Sequence, residues 1–306
     1  MKAGILVIIA LLYGPFSWAM NTKWYVGSTG EKIELEKIVD EVEPGSVVFV
    51  GEIHNQALHH KNQLRLLKIL AEKYPGVKIS VAMEFFYYPN QEKVDRYLDG
   101  ELNETDFLQQ IGWQNLNSSF FNMSFSPSES ILNFPFEWYR DIVKFPKTTG
   151  GRTYAINAPP ALTSSIAKNG LENTPDSLLK WLPTDFSMGR DIYFQRFQED
   201  MEQMHPLPAP VLKHYFEAQS VWDDTMAWRI SNIMKQEPGQ ILVVIIGDFH
   251  VAYFGGLPFQ LQRRNFKKFF NLSQMIDTGE INRAPWLPDS RWGVRSDYVG
   301  ISSETE

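Results

Sequence analysis

Two short segments of the chain place an acid and a histidine directly after a run of apolar residues. Residues 47–54 read Val-Val-Phe-Val-Gly-Glu-Ile-His, and residues 243–250 read Val-Val-Ile-Ile-Gly-Asp-Phe-His. Carboxylates and imidazoles can serve as general acids and bases, or can hold a borderline metal ion or iron. We therefore predict that four side chains meet in one pocket: Glu52, His54, Asp248 and His250. The alternative is that two strands of one sheet merely end in polar turns.

The surrounding residues predict the elements that position these side chains. A short β-branched run that ends in glycine is typical of a strand buried on both faces of a parallel sheet. Amphipathic patterns predict helices at 57–74 and 211–235. We expect an α/β fold with a mostly parallel central sheet, flanking helices and a helical lid insertion over about 86–150 and 161–237. The expected strands are 46–50, 77–84, 152–157 and 241–246, with an edge strand at 270–276.

Further polar residues follow the predicted strands. Glu84 ends the second strand and Asn157 ends the third, and open α/β sheets bind their ligands beyond the carboxyl ends of the strands. His59 and His60 lie at the start of the following helix. Because adjacent helical residues face different directions, we expect His59 to support the pocket and His60 to lie at the surface.

The first 19 residues have the features of a secretory signal. Lys2 precedes an apolar run from Ile5 to Tyr13, and Ser17-Trp18-Ala19 fits a cleavage site. The apolar run is shorter than the ~20 residues that a membrane-spanning helix needs. We expect an exported protein, periplasmic or secreted, that is cleaved near Ala19; an uncleaved anchor is the alternative.

The composition excludes several classes of site. The 306 residues include no cysteine, which rules out disulfides, thiolate metal ligands and a lipidated N-terminal cysteine. The formal net charge of −7 argues against nucleic acid as the main partner. The chain also lacks a Gly-rich phosphate loop, a Gly-x-Ser-x-Gly elbow and a His-Glu-x-x-His pair.

An ordered set of motifs resembles the ChaN-like haem-binding proteins of the Tiki superfamily. The set comprises Gly51-Glu52-Ile53-His54 with His59-His60, Val81-Ala82-Met83-Glu84-Phe85-Phe86, Ala218-Gln219-x-x-Trp222-Asp223-Asp224, and Gly247-x-x-His250-Val251. The resemblance covers about residues 46–265 and implies an α/β sheet with a helical lid. It also implies haem binding, a role in haem or iron acquisition at the cell envelope, and an envelope haem-uptake system as partner. A homodimer is left open.

Our first hypothesis is therefore a haem-binding protein. Haem iron takes histidine or tyrosine as an axial ligand. The candidate residues of the haem site are His54, His250, Glu52, Glu84, His59, Tyr87, Tyr139 and Tyr215. We expect three further residues to contact these site residues without binding the haem themselves: Asp248, Asn157 and Asp224.

A second hypothesis follows from the distant relation of ChaN-like proteins to Tiki proteases and erythromycin esterases. In a metal-dependent hydrolase, Glu52, His54 and His250 would hold a divalent metal ion, and Glu84 or Glu52 would act as the base. A third hypothesis is a non-catalytic envelope scaffold. In each case we assign residues 20–279 to the α/β domain and 280–306 to a Trp/Pro-rich extension that wraps the body or stays loose.

Overall fold

The computed structural model describes residues 22–114, 134–204, 207–277, 284 and 286–303. The strands are β1 (Thr22–Val26), β2 (Lys32–Ile33), β3 (Val47–Glu52), β4 (Ile79–Tyr87), β5 (Thr153–Asn157), β6 (Ile241–Gly247), β7 (Phe269–Asp277) and β8 (Tyr298–Ser303). The helices are α1 (Leu35–Glu41), α2 (Ala57–Lys73), α3 (Gln91–Leu98), α4 (Glu104–Ile111), α5 (Glu137–Lys144), α6 (Pro160–Asn169), α7 (Asp176–Leu179), α8 (Asp191–Met204), α9 (Ala209–Gln236), α10 (Asp248–Val251) and α11 (Leu257–Arg263). The expected signal segment and residues 115–133 of the first expected lid stretch lie outside the described residues.

One sheet carries these strands in the order β2-β1-β8-β7-β3-β6-β4-β5. Every pairing from β8 to β5 is parallel, and only β1 pairs in antiparallel fashion, with β2 and β8. The prediction of an α/β fold with a mostly parallel sheet is confirmed. The two Gly-acid-x-His segments follow neighbouring strands, since Glu52 of β3 is in register with Gly247 of β6.

Helices cover both faces of the sheet because successive strand residues point to opposite sides. Val48 and Val50 face a core that α1 to α5 complete. Val47 and Phe49 face a second core formed with α6, α9 and α11. A third apolar cluster joins α8 to the first half of α9. Among the described residues, none of the helices combines the length and the apolar character needed to cross a bilayer.

The C-terminal region differs from our expectation. Strand β7 is not at the edge, because β8 pairs along its free side and β1 pairs with β8 in turn. Residues 298–303 are thus a strand of the central sheet rather than a wrapping or loose extension. Tyr298, Val299 and Ile301 are buried there. Helix α11 ends at Arg263, and Asn265 then adopts a left-handed conformation.

Candidate ligand-binding site

A cavity of about 510 Å³ opens at the carboxyl ends of the central strands. The structure places in its lining the four residues of the two Gly-acid-x-His segments together with Glu84. Glycine is required where the segments meet, because a Cβ atom on Gly51 would lie 2.4 Å from the Asp248 Oδ1 atom. Helices α8 and α9 form the opposite wall, so of the two lid stretches only 161–237 contributes lining residues among those the structure describes.

Glu52 is a buried carboxylate that several donors surround. Its Oε1 atom accepts hydrogen bonds from the His54 Nδ1 atom at 2.8 Å and from the Tyr139 hydroxyl. Its Oε2 atom accepts from the Gln63 Nε2 atom at 2.5 Å and lies 3.4 Å from the His60 Nδ1 atom. Burial alone would raise the pKa of Glu52, but the His60 charge and the hydrogen bond from His54 hold it well below its usual range. Glu52 is therefore ionised.

His54 is oriented by this carboxylate and by aromatic neighbours. Its ring centroid lies 4.9 Å from that of Phe85 and 5.7 Å from that of Phe134. With Nδ1 bonded to Glu52, Nε2 is the ring nitrogen directed toward the end of β6, where a Cβ atom on Gly247 would lie 3.1 Å away. An imidazole whose Nδ1 is held by a carboxylate is the arrangement that iron- and zinc-binding histidines use.

His250 lies between two other carboxylates. Its Nδ1 atom is 2.6 Å from the Asp223 Oδ1 atom, and its Nε2 atom is 3.3 Å from the Glu84 Oε1 atom. Burial would lower the pKa of His250, but the charges of Asp223 and Glu84 raise it to about 10. The imidazole is therefore protonated at neutral pH, and both of its nitrogens are engaged.

Glu84 connects the two strand ends. Its Oε2 atom accepts a 2.6 Å hydrogen bond from the Gly247 amide, while Oε1 faces His250. Burial raises the pKa of Glu84, but the His250 charge and hydrogen bond outweigh it and lower the pKa. Glu84 lies within β4 rather than at its end, at a register shift between Met83 and Tyr87. Its carboxylate reaches the Gly247 amide at the end of β6.

The C-terminal segment completes the cavity. Arg295 and Trp292 line it, and Arg295 forms an ion pair with Asp248. The Ser273 hydroxyl donates a 2.5 Å hydrogen bond to Asp248 and accepts one of 2.9 Å from the Arg295 Nε atom. Asp248 is thus paired with Arg295, a residue of the segment that we expected to lie outside the α/β domain.

The adjacent histidines take roles opposite to those we expected. His60 is buried rather than exposed, pairs with Glu52, and has its Nε2 atom 3.0 Å from the His54 backbone oxygen. His59 is buried too, but its Nδ1 atom accepts the Ile53 amide at 2.9 Å. Burial lowers the pKa of His59 to about 4, so its ring is neutral. The helix therefore directs His60, not His59, to the carboxylate.

The three tyrosines proposed as haem ligands do not line the cavity. Tyr139 is fully buried behind Glu52, to which it donates a hydrogen bond. Tyr87 is buried in β4, where burial and the Glu84 charge raise its pKa, and Tyr215 packs in the cluster of α8 and α9. Among the residues that the structure describes, the tyrosine that lines the cavity is Tyr253, at a positive φ of 57°. Its left-handed conformation could not be read from the sequence.

Two of the three expected supporting residues also lie elsewhere. Asp224 faces away from His250 and forms an ion pair with Arg264 at 2.7 Å. Asp223 contacts His250 instead, with its Oδ2 atom accepting a 2.9 Å hydrogen bond from Tyr193. Asn157 caps its own strand by accepting the Ala158 amide, and it does not line the cavity.

The metal-site hypothesis receives no support from this geometry. The oxygens of Glu52 already accept hydrogen bonds from His54, Gln63 and Tyr139. Within the described ranges, no group of three or more histidine, aspartate or glutamate side chains is placed to share one ion. The carboxylates instead form three networks: one on Glu52, one on His250, and one in which Asp248 pairs with Arg295.

The family of the chain is shown by comparison with known proteins. A family model described as haem-binding uptake, Tiki superfamily, ChaN matches residues 38–261. The chain belongs to the ChaN family. Among solved structures it is similar to ChaN of Campylobacter jejuni, described with cofacial haem binding, at 17% identity and a TM-score of 0.60 over 92% of this chain and 96% of that one. This likeness shows the shared fold.

A further similar structure is the type III effector HopBA1, at 11% identity and a TM-score of 0.49 over 94% of this chain and 100% of that one. No curated protein matches the chain. The ChaN match ends at residue 261, so Trp292 and Arg295 come from beyond the region that the family model describes.

Proposed function

We propose that this ChaN-family protein binds haem in the cavity at the carboxyl ends of its sheet. The observation that carries the proposal is an imidazole, held by a buried carboxylate, that lines the same cavity as a set of large apolar side chains. A porphyrin needs an apolar slot and an axial donor. The larger apolar side chains of the lining include Phe197, Met201, Trp222, Phe249, Tyr253, Met275 and Trp292.

His54 is the residue that would hold the iron. Its Nδ1 atom is committed to Glu52, which fixes the ring and raises the basicity of Nε2. His250 is a poor donor, because it is protonated at neutral pH and both of its nitrogens face carboxylates. Tyr253 is the second candidate, since its phenol ring lies 5.3 Å and 5.4 Å from the guanidinium carbons of Arg196 and Arg295. When bound, the iron supplies ligand exchange and redox chemistry.

The proposal extends to where the protein acts. Residues 1–19 have the composition of a cleaved signal, and the family description is of haem-binding uptake. Both support a role in haem or iron handling at the cell envelope, with a haem-uptake system as partner. Recovery of the chain in the cytoplasmic fraction with residues 1–19 intact would contradict this part of the proposal.

The axial ligand is tested by haem titration of His54→Ala and Tyr253→Phe, followed in the Soret region. We expect His54→Ala to change the Soret position and to weaken binding, and Tyr253→Phe to leave the Soret position unchanged. The matched control is His214→Ala, a histidine of α9 that does not line the cavity. The reverse pattern, with the spectrum lost in Tyr253→Phe and kept in His54→Ala, would assign the iron to Tyr253.

A further inference from the structure

Arg196 is a buried guanidinium in the wall of the same cavity. It projects from α8, and only 5% of its surface is exposed. Its Nη atoms donate to the backbone oxygens of Phe249, at 2.6 Å, and of Ala252. Three aromatic rings surround the guanidinium carbon: Phe249 at 4.4 Å, Tyr193 at 5.2 Å and Tyr253 at 5.3 Å. These contacts hold the group in place without neutralising its charge.

The other cationic groups of the cavity are matched by carboxylates. Arg295 pairs with Asp248, and His250 pairs with Glu84 and Asp223. Arg196 takes part in no ion pair within 4.0 Å in the part of the chain that the structure describes, and its Nε atom is buried without a hydrogen-bond partner. A buried charge is costly until a counter-charge approaches it.

Asp200, one helical turn further along α8, is the acid on the same wall. It lines the cavity but does not form an ion pair with Arg196. Burial raises the pKa of Asp200, and the Arg196 charge opposes this only in part. Burial likewise lowers the pKa of Arg196, as expected for a guanidinium without an adjacent carboxylate. The carboxylates that line the cavity therefore do not fully neutralise the charge of Arg196.

We propose that Arg196 recognises a carboxylate of the bound ligand, which for haem is a propionate. This inference rests on the proposed haem binding and adds a determinant of specificity to it. Each Nη atom of a guanidinium carries two N–H groups, so each keeps one donor beyond those given to Phe249 and Ala252. Charge-assisted hydrogen bonds from such donors to a carboxylate are strong where water is excluded. Arg196 then selects porphyrins with free carboxylates over neutral ones of the same shape.

The test compares haem with haem dimethyl ester, in which both propionates are esterified. With the wild-type protein we expect the ester to bind roughly 10- to 100-fold more weakly, the loss typical of one hydrogen bond to a charged group. Arg196→Gln should weaken haem binding by a similar factor and should bind haem and ester about equally. Equality in the variant shows that the two changes remove the same interaction.

Arg190→Gln is the matched control. Arg190 also donates to a backbone oxygen, that of Phe254 at 3.2 Å, and lies over an aromatic ring, but it does not line the cavity. We expect it to keep the preference for haem. Arg196→Lys retains the charge but replaces the planar guanidinium with a single ammonium group, so it should show a reduced preference and serves as the second variant if Arg196→Gln does not fold.

Two outcomes separate this inference from the proposed function. If the wild-type protein binds haem and its ester equally well, or if Arg196→Gln and Arg196→Lys keep the full preference for haem, the role of Arg196 is overturned while haem binding stands. If the wild-type protein binds neither porphyrin, the proposed function fails and the inference fails with it.

Discussion

His250→Gln removes the cation that the structure places between two buried carboxylates. The imidazole is 2.6 Å from the Asp223 oxygen and 3.3 Å from the Glu84 oxygen, and only 7% of the residue is exposed. Glutamine keeps hydrogen-bonding capacity but carries no charge. We expect the variant to lose about 3–5 kcal/mol of unfolding free energy near pH 7, because it leaves two carboxylates buried without a counter-charge.

The raised pKa of His250 also predicts how the unfolding free energy changes with pH. The folded-state pKa of about 10 lies above the ordinary value of 6.5, so the stabilisation is complete below about pH 6.5 and is lost as the pH rises toward 10. Between these values the folded protein binds about one more proton than the unfolded chain. The unfolding free energy of the wild-type protein relative to the variant should therefore fall by about 2–3 kcal/mol between pH 7 and pH 9.

Urea unfolding of ligand-free wild-type and His250→Gln proteins at pH 7 and pH 9 measures this difference. Groups that do not contact His250 titrate alike in both proteins, so their contributions cancel in the comparison. His214→Gln is the control, since it lies on α9 away from the cavity. A difference between wild type and His250→Gln that stays constant from pH 7 to pH 9 would refute the charge assigned to His250.

Three further predictions follow from contacts around the site. Gly247→Ala should weaken haem binding with little change in unfolding free energy, because its Cβ atom would lie within 3.1 Å of the His54 ring; unchanged affinity would argue against His54 as the ligand. Asp223→Asn should lower the pKa of His250, measured by NMR titration, whereas Asp224→Asn should destabilise the fold and leave that pKa unchanged. Truncation after residue 277 should prevent folding because β8 pairs with both β7 and β1, and a cooperative melt of the truncated chain would contradict that.

The sequence predicted the parallel core of the fold because its strands are continuous apolar runs. β3 and β6 are buried along their whole length, and such runs have few other structural solutions. β8 was missed since its sequence, Tyr-Val-Gly-Ile-Ser-Ser, has no continuous apolar run and follows a region rich in proline and tryptophan. It is stabilised by pairing with β1, some 280 residues earlier in the chain, and a local pattern carries no sign of that pairing.

The candidate site was predictable only where the residues follow the strand ends. Glu52, His54, Asp248 and His250 meet because parallel strands end at the same edge of a sheet. On helices the same reasoning selected the residue next to the correct one, since a step of one position turns a side chain by about 100°. For this reason Asp223 rather than Asp224 contacts His250, and His60 rather than His59 contacts Glu52.

Residues brought in by long-range folding could not be identified from the sequence. Arg196 reaches backbone oxygens more than 50 positions later in the chain, and Arg295 reaches Asp248 from 47 positions away. Neither arginine lies in a recognisable motif. Their places are fixed by tertiary packing of α8 and of the C-terminal segment against the cavity.

Haem binding itself is tested most directly by titrating residues 20–306 with haem and following the Soret band. We expect a saturable shift to a new band, with the shift altered in His54→Ala. Absorbance that grows in proportion to added haem, with the spectrum of free haem and no saturation, would contradict the assignment of the cavity as a haem site.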